Sequence, residues 1–170
     1  MQGLTIKVND KDYSDYMAIE NTVQYLYRNK IRGKKPYKTY AYLSEYQGFD
    51  LSADDIVRSF EKQQMVGENQ LFHVILSFED DFYNSYGEHA LYINEIARKV
   101  GEHYQCCFAF HRKNPNTYDY HGHFHMIIMT QSYNGFPPLD RETLRNTYLE
   151  YAKAIAPYYG FEVKRIEMGT

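Results

Sequence analysis

The 170-residue sequence contains no tryptophan, only two cysteines and no apolar run long enough to cross a membrane. It also shows no signal-peptide pattern, and these absences together predict a soluble, intracellular protein. Cys106 and Cys107 are adjacent in the chain. Since neighbouring strand residues point to opposite faces, we expect both thiols to be reduced rather than joined in a disulfide. CxxC and HExxH motifs are absent as well, which excludes zinc ribbons and zincins.

Net positive charge is another feature that the sequence lacks, because its formal net charge at pH 7 is -3. That value argues against a general nucleic-acid binder. One segment nevertheless gathers cations without any acid between them, and such a segment can contact phosphates even on an acidic protein. Its members are Arg28, Lys30, Arg32, Lys34, Lys35 and Lys38. The alternative is a solvated loop, since Gly33 and Pro36 break regular structure there.

Aromatic residues are abundant, with 19 tyrosines and 10 phenylalanines. A tyrosine-rich surface suits stacking on bases or sugars, although a simple bias of composition would look the same. The hydrophobic fraction of 44% is typical of a globular protein. The length predicts a single domain over residues 1–170 with a sizeable core.

The periodicity of apolar residues predicts strands that alternate with helices. The predicted strands cover 4–8, 39–46, 71–78, 105–111, 121–129 and 161–168. The predicted helices cover 17–29, a segment that begins at the N-cap Ser52 and stops at Gly67, 87–103 and 140–156. The polar segment 112–119 is expected to be the loop of a long hairpin. This order predicts an α+β fold, with a central, mainly antiparallel sheet and helices packed on its faces.

The most informative stretch is the strand over 121–129, where His121, His123 and His125 share one face because side chains alternate along a strand. The opposite face carries ordinary core residues such as Phe124 and Met126. Three buried imidazoles are costly unless their nitrogens have partners. A metal ion would supply partners for several of them at once, so we predict that this strand forms one wall of a metal site.

The distance between the histidines decides which of them can bind the same ion. His121 and His125 lie about 13 Å apart along a strand, whereas metal–nitrogen bonds are only about 2.0–2.1 Å long for a zinc-like ion. His111 ends the preceding strand, and a hairpin would bring it opposite about His121. We therefore predict His111, His123 and His125 as the ligands, with His121 as a substitute or a supporting residue. The alternative is a set of surface histidines on an edge strand.

A three-histidine site leaves coordination positions open, which suits catalysis. With a basic segment and many tyrosines nearby, the chemistry it favours is attack of a tyrosine on a phosphodiester that the metal polarises. On the predicted helix 17–29 the apolar stripe consists of Ile19, Val23 and Leu26. Tyr25 falls off that stripe, whereas Tyr27 leans toward it.

These motifs resemble a known family. His123-Phe124-His125 is similar to the His-hydrophobic-His motif of the HUH endonuclease superfamily. The order of motifs over residues 17–135 resembles the relaxase/mobilisation nuclease family, particularly its P-type branch. The other segments that carry the resemblance are Tyr25-Leu26, Lys38-Thr39, Gln47-Gly48-Phe49, the helix 52–65, the strand 72–78, the helix 88–103, the strand 104–111 and the strand 121–129.

The resemblance implies a metal-dependent, sequence-specific enzyme that nicks single-stranded DNA at a plasmid or integrative-element transfer origin. Members remain joined to the 5′ phosphate through tyrosine, use one divalent ion (Mg²⁺ or Mn²⁺) and work in the bacterial cytoplasm, with accessory mobilisation proteins as further partners. Carried over, Tyr25 is the nucleophile, and His111, His123 and His125 bind the ion. Tyr27 is the second choice for the nucleophile, because helix ends fray.

The sequence also departs from the family pattern. Lys113 stands two positions after His111, where the family usually has Asp, and Asp119 is the nearest replacement in a longer loop. Thr130 and Gln131 follow the histidine strand in place of the usual Asn. No helicase or primase domain accompanies the motifs, so we expect a minimal or excised relaxase domain, or a relative with a different DNA target. The alternatives are a replication initiator or single-tyrosine transposase of the same superfamily, and a non-catalytic DNA-binding or metal-binding relative.

Overall fold

A computed structural model describes residues 1–27, 39–79, 86–112 and 122–169 of the chain. The described strands are β1 (Gln2–Val8), β2 (Thr39–Tyr42), β3 (Gln47–Phe49), β4 (Leu71–Phe78), β5 (Cys106–Arg112), β6 (Gly122–Met129) and β7 (Phe161–Met168). They form one sheet in the order β3-β2-β5-β6-β4-β1-β7. β7 runs parallel to β1, and the other neighbouring strands are antiparallel. The predicted class, α+β with a mainly antiparallel sheet, is thus confirmed.

Helices cover both faces of the sheet. They are α1 (Ala18–Leu26), α2 (Ala53–Glu61), α3 (Tyr86–Val100), and a C-terminal helical segment made of α4 (Arg141–Thr143), a π-helical turn (Leu144–Leu149), α5 (Glu150–Ile155) and a 3-10 turn (Ala156–Tyr159). One core packs α3 and the C-terminal segment against residues such as Phe108 and Phe124. The other core packs α1 and α2 against Cys107 and Ile127. The adjacent cysteines therefore belong to different cores, and both are free thiols, as predicted.

Alternation along β4 and β6, which are neighbours in the sheet, decides on which face each side chain lies. Phe72, Val74 and Leu76 enter the same core as Phe124 and Met126 because period-2 side chains share a face. The polar partners of this alternation, including the histidines, consequently point to the opposite face. β6 is the central strand, flanked by β5 and β4, so the alternative of surface histidines on an edge strand is wrong.

Several element boundaries differ from the sequence prediction. The strand expected over 39–46 is two strands, because a turn closed by the bond from Leu43 N to Tyr46 O (2.9 Å) reverses the chain. Ser52 caps α2 as predicted, accepting a hydrogen bond from Asp55 N at 3.1 Å. α2 ends at Glu61 rather than near Gly67, which adopts a positive φ of 93° further along and donates its N–H to Ser14 O.

The C-terminal helix also differs from the prediction. The helix expected over 140–156 is present, but a π-helical turn interrupts it and a 3-10 turn extends it to Tyr159.

Among the described residues, none of the helices has the length and hydrophobicity that a bilayer crossing requires.

Candidate functional site: a histidine cluster beside Tyr25

The pairing of β5 with β6 sets the geometry of the histidines. His111 lies directly opposite His123, and Ala109 lies opposite His125. The expectation that His111 faces about His121 was therefore wrong by two residues. The register follows from the core, where Phe110 pairs with Phe124, and a buried face fixes strand register strongly. His121 lies outside the described residues.

This register brings the predicted ligands together. The ring centroids of His111 and His125 are 4.4 Å apart, and those of His123 and His125 are 6.2 Å apart. His125 is buried, and His111 and His123 are half-buried. The three imidazoles thus form one cluster on the sheet face that α1 partly covers.

A fourth histidine joins the cluster from β4. His73 Nε2 lies 2.9 Å from His125 Nδ1, and both side chains are buried. Sequence reasoning did not include His73 in the site. The missing information was the pairing of β4 with β6, which joins residues far apart in the sequence.

Hydrogen bonds hold the other two imidazoles in place. His111 Nε2 lies 2.7 Å from the backbone oxygen of Leu26, and His123 Nδ1 lies 2.7 Å from Ser77 Oγ. A carbonyl oxygen can only accept, so His111 Nε2 carries the proton in its bond. Leu26 is the last residue of α1, where helix carbonyls lack intrahelical partners. The His111 bond therefore ties the end of α1 to the cluster.

Tyr25 precedes Leu26 in α1, and its ring lies beside the histidine cluster. Its centroid is 6.0 Å from that of His111, 6.3 Å from that of His125 and 6.4 Å from that of His73, in edge-to-face geometry. The residue is 41% exposed, so it borders both the imidazoles and solvent. Tyr25 is thus positioned at the rim of the cluster, on the side that faces solvent.

Tyr27 occupies a different environment. It is only 7% exposed and belongs to the core between α1, α2 and the sheet. Burial raises the pKa of the Tyr27 phenol well above its ordinary value, and the neighbouring Cys107 thiol raises it further. A buried phenol that resists ionisation is a poor nucleophile, so the structure separates the two candidate tyrosines clearly.

Comparisons with protein-family models, with curated proteins and with solved structures found no match to this chain. The relaxase resemblance therefore stays a prediction that depends on the motifs of the sequence.

The electrostatics of the cluster keep its buried members neutral. Burial, together with a smaller effect of the nearby His111, lowers the pKa of His73 to about 4. Burial, together with smaller effects of His111, His73 and His123, lowers the pKa of His125 to about 2. At neutral pH both imidazoles are uncharged, which is the protonation state that a metal ligand requires.

The donor chemistry of the cluster therefore fits a divalent transition ion. Neutral imidazole nitrogens suit transition metals, whereas Mg²⁺ prefers oxygen ligands, so Mn²⁺ fits better than Mg²⁺ among the two predicted ions. Within the described ranges, no three His, Cys, Asp or Glu side chains have the geometry of a ready metal site. Coordination by His111, His123 and His125 consequently needs at least one ring to rotate from the arrangement described above.

Acid is expected to destabilise the metal-free protein through these buried imidazoles. A histidine whose pKa falls from about 6.5 unfolded to about 4 folded contributes stability above pH 6.5 that is lost as the pH falls toward 4. The loss for His73 is about 3 kcal/mol at most, at about 1.4 kcal/mol per pH unit. Urea unfolding in EDTA between pH 7 and pH 4.5 measures it. His73→Gln, which cannot titrate, should show a shallower pH dependence, and an unchanged slope would contradict the assignment.

The remaining predicted site residues belong to segments outside the described ranges. The whole basic set from Arg28 to Lys38 lies outside the described residues, as do Lys113 and Asp119 of the loop before β6. The structure thus assembles Tyr25, His111, His123 and His125 in one place and adds His73 and Ser77 to them.

Proposed function

We propose that this protein is a tyrosine-dependent nuclease and strand transferase that nicks single-stranded DNA with the help of a divalent ion. The observation that carries the proposal is the contact of the Tyr25 ring with three imidazoles, His73, His111 and His125, at 6.0–6.4 Å. A half-exposed phenol beside neutral nitrogen ligands is the arrangement that metal-assisted attack on a phosphodiester needs. A plasmid or integrative-element transfer origin is the DNA target that we propose.

In the proposed reaction, Tyr25 Oη attacks the scissile phosphorus, and the new Oη–P bond replaces the P–O3′ bond. The phenol proton leaves to water, to which Tyr25 is 41% exposed, and the departing 3′ oxygen takes up a proton. The downstream strand remains on the protein as a 5′-phosphotyrosine. Because one phosphodiester is exchanged for another, the 3′ hydroxyl of a strand can reverse the step and complete the transfer.

The histidines of the cluster serve this reaction as ligands. His111, His123 and His125 are the proposed set, with His121 as the substitute. When bound, the ion neutralises charge on the phosphate oxygens. The chain's own part is to keep His125 uncharged by burial and to hold the end of α1, and hence Tyr25, beside the cluster through the His111–Leu26 bond.

The basic segment from Arg28 to Lys38 is proposed to guide the DNA strand. It begins three residues after Tyr25 in the sequence, so phosphates that it binds would lie near the nucleophile. Contacts of this kind supply affinity without reading the bases. Accessory mobilisation proteins are proposed as further partners that would help to select the origin.

One observation favours a second candidate, a non-catalytic DNA-binding relative. His125 is hydrogen-bonded to His73 and His123 to Ser77, and such bonds alone can satisfy buried imidazoles without any ion. A replication initiator or single-tyrosine transposase would share the chemistry proposed for Tyr25 and differ only in its DNA target.

End-labelled DNA separates these candidates. A randomised single-stranded pool is incubated with the protein and Mn²⁺, and the products are separated under denaturing conditions. Because the protein keeps the 5′ phosphate, a 3′ label should migrate with the protein, whereas a 5′ label should appear only on shortened free strands. EDTA should abolish both products. Strand binding without any adduct would contradict the proposal and favour the non-catalytic relative.

A further inference from the structure

The position of His73 suits more than packing in the core, because its ring approaches two other residues of the site. Its direct partner across β4 and β6 is Ile127, yet its ring reaches diagonally to His125, whose own partner is Ile75. The same ring lies 6.4 Å from that of Tyr25. One buried side chain thus contacts both the proposed nucleophile and a proposed ligand.

The bond between the two imidazoles admits only one proton. His73 Nε2 and His125 Nδ1 are 2.9 Å apart, and two N–H groups cannot point at each other at that distance. If His73 donates, His125 Nδ1 carries a lone pair, so neutral His125 is protonated on Nε2. If His125 donates, its Nε2 carries the lone pair instead. Only the second arrangement leaves His125 with a nitrogen that can bind an ion while the bond to His73 persists.

We propose that His73 is the positioning residue of the metal site: its Nε2 accepts the Nδ1–H of His125 and thereby fixes the tautomer and the ring orientation that His125 needs as a ligand. The proposal rests on the proposed function. Ligating histidines commonly donate their second N–H to a neighbouring acceptor, and loss of that acceptor weakens metal binding about 10–100-fold. Here the acceptor is another imidazole, which also borders the nucleophile.

Two measurements test the proposal without an activity assay. Long-range ¹H–¹⁵N correlation spectra of the metal-free wild type report the protonated ring nitrogen of His125 directly, and we expect Nδ1. Calorimetric titration with Mn²⁺ then compares His73→Gln, whose amide oxygen can still accept, with His73→Phe, which cannot. We expect His73→Gln to keep wild-type affinity and His73→Phe to lose about 10–100-fold.

A matched control is available on α3, on the opposite face of the sheet from the histidine cluster. His89 is also buried and bonds to Gln2 Oε1 at 2.8 Å, so His89→Gln perturbs a buried imidazole away from the site and should leave Mn²⁺ affinity unchanged. A His125 protonated on Nε2 in the wild type would overturn the proposal, as would equal affinity in His73→Phe. Where His73→Phe fails to fold, the wild-type tautomer decides. Correct tautomer and Mn²⁺ binding without any DNA adduct would support the positioning role and contradict the proposed function alone.

Discussion

Replacing Tyr25 with Phe is expected to abolish the covalent protein–DNA adduct and to slow strand cleavage by about 10⁴-fold or more, as loss of a nucleophile does in other enzymes. Only the hydroxyl is removed, so the ring keeps its edge-to-face contacts with the imidazoles. Mn²⁺ affinity and single-strand binding should therefore stay at the wild-type level. Denaturing gels with a 3′-labelled strand measure the adduct, and calorimetry and fluorescence anisotropy measure the two affinities.

Tyr27→Phe is the matched control, because it removes the same atom two residues away. Tyr27 is buried in the core and its pKa is raised, so this variant should still form the adduct. An adduct that persists in Tyr25→Phe and disappears in Tyr27→Phe would show that the assignment of the nucleophile is wrong. Normal cleavage by both variants would contradict the tyrosine mechanism itself.

The double substitution His123→Ala and His125→Ala is expected to eliminate Mn²⁺ binding, since it removes two of the three proposed ligands and leaves His111 alone. Cleavage should disappear with it, whereas binding to the strand should persist through the basic segment. Calorimetric titration with Mn²⁺ gives the readout. His103→Ala, at a half-buried histidine that stacks on Phe136, controls for the loss of an imidazole outside the cluster. Undiminished Mn²⁺ binding in the double variant would remove the histidine cluster from the mechanism.

Local rules were sufficient for the individual strands and for the sides on which their residues lie. Alternation along β6 placed His123 and His125 on one face and Phe124 in the core, and the structure agrees. The N-cap at Ser52 is equally local, because it depends on one side chain and one N–H three residues later. Such features need no knowledge of the rest of the fold.

Contacts between residues far apart in the sequence determine the features of the site that local patterns did not predict. The membership of His73 in the cluster requires β4 to lie beside β6, a contact between residues 52 positions apart. The register that sets His111 opposite His123 depends on core packing across the hairpin rather than on the loop length. The contact of Tyr25 with the cluster depends on how α1 docks, which follows from the packing of its apolar stripe in the core and from the His111–Leu26 bond. Helical phase alone predicted only that Tyr25 would lie off the apolar stripe.

Mass spectrometry of the trapped adduct tests the central claim most directly. The adduct formed with Mn²⁺ is treated with nuclease and trypsin, and the fragment ions of the peptide 12–28 locate the attached nucleotide phosphate among Tyr13, Tyr16, Tyr25 and Tyr27. We expect the phosphate on Tyr25. A phosphate on any other residue, or no adduct from the whole randomised pool, would contradict the account.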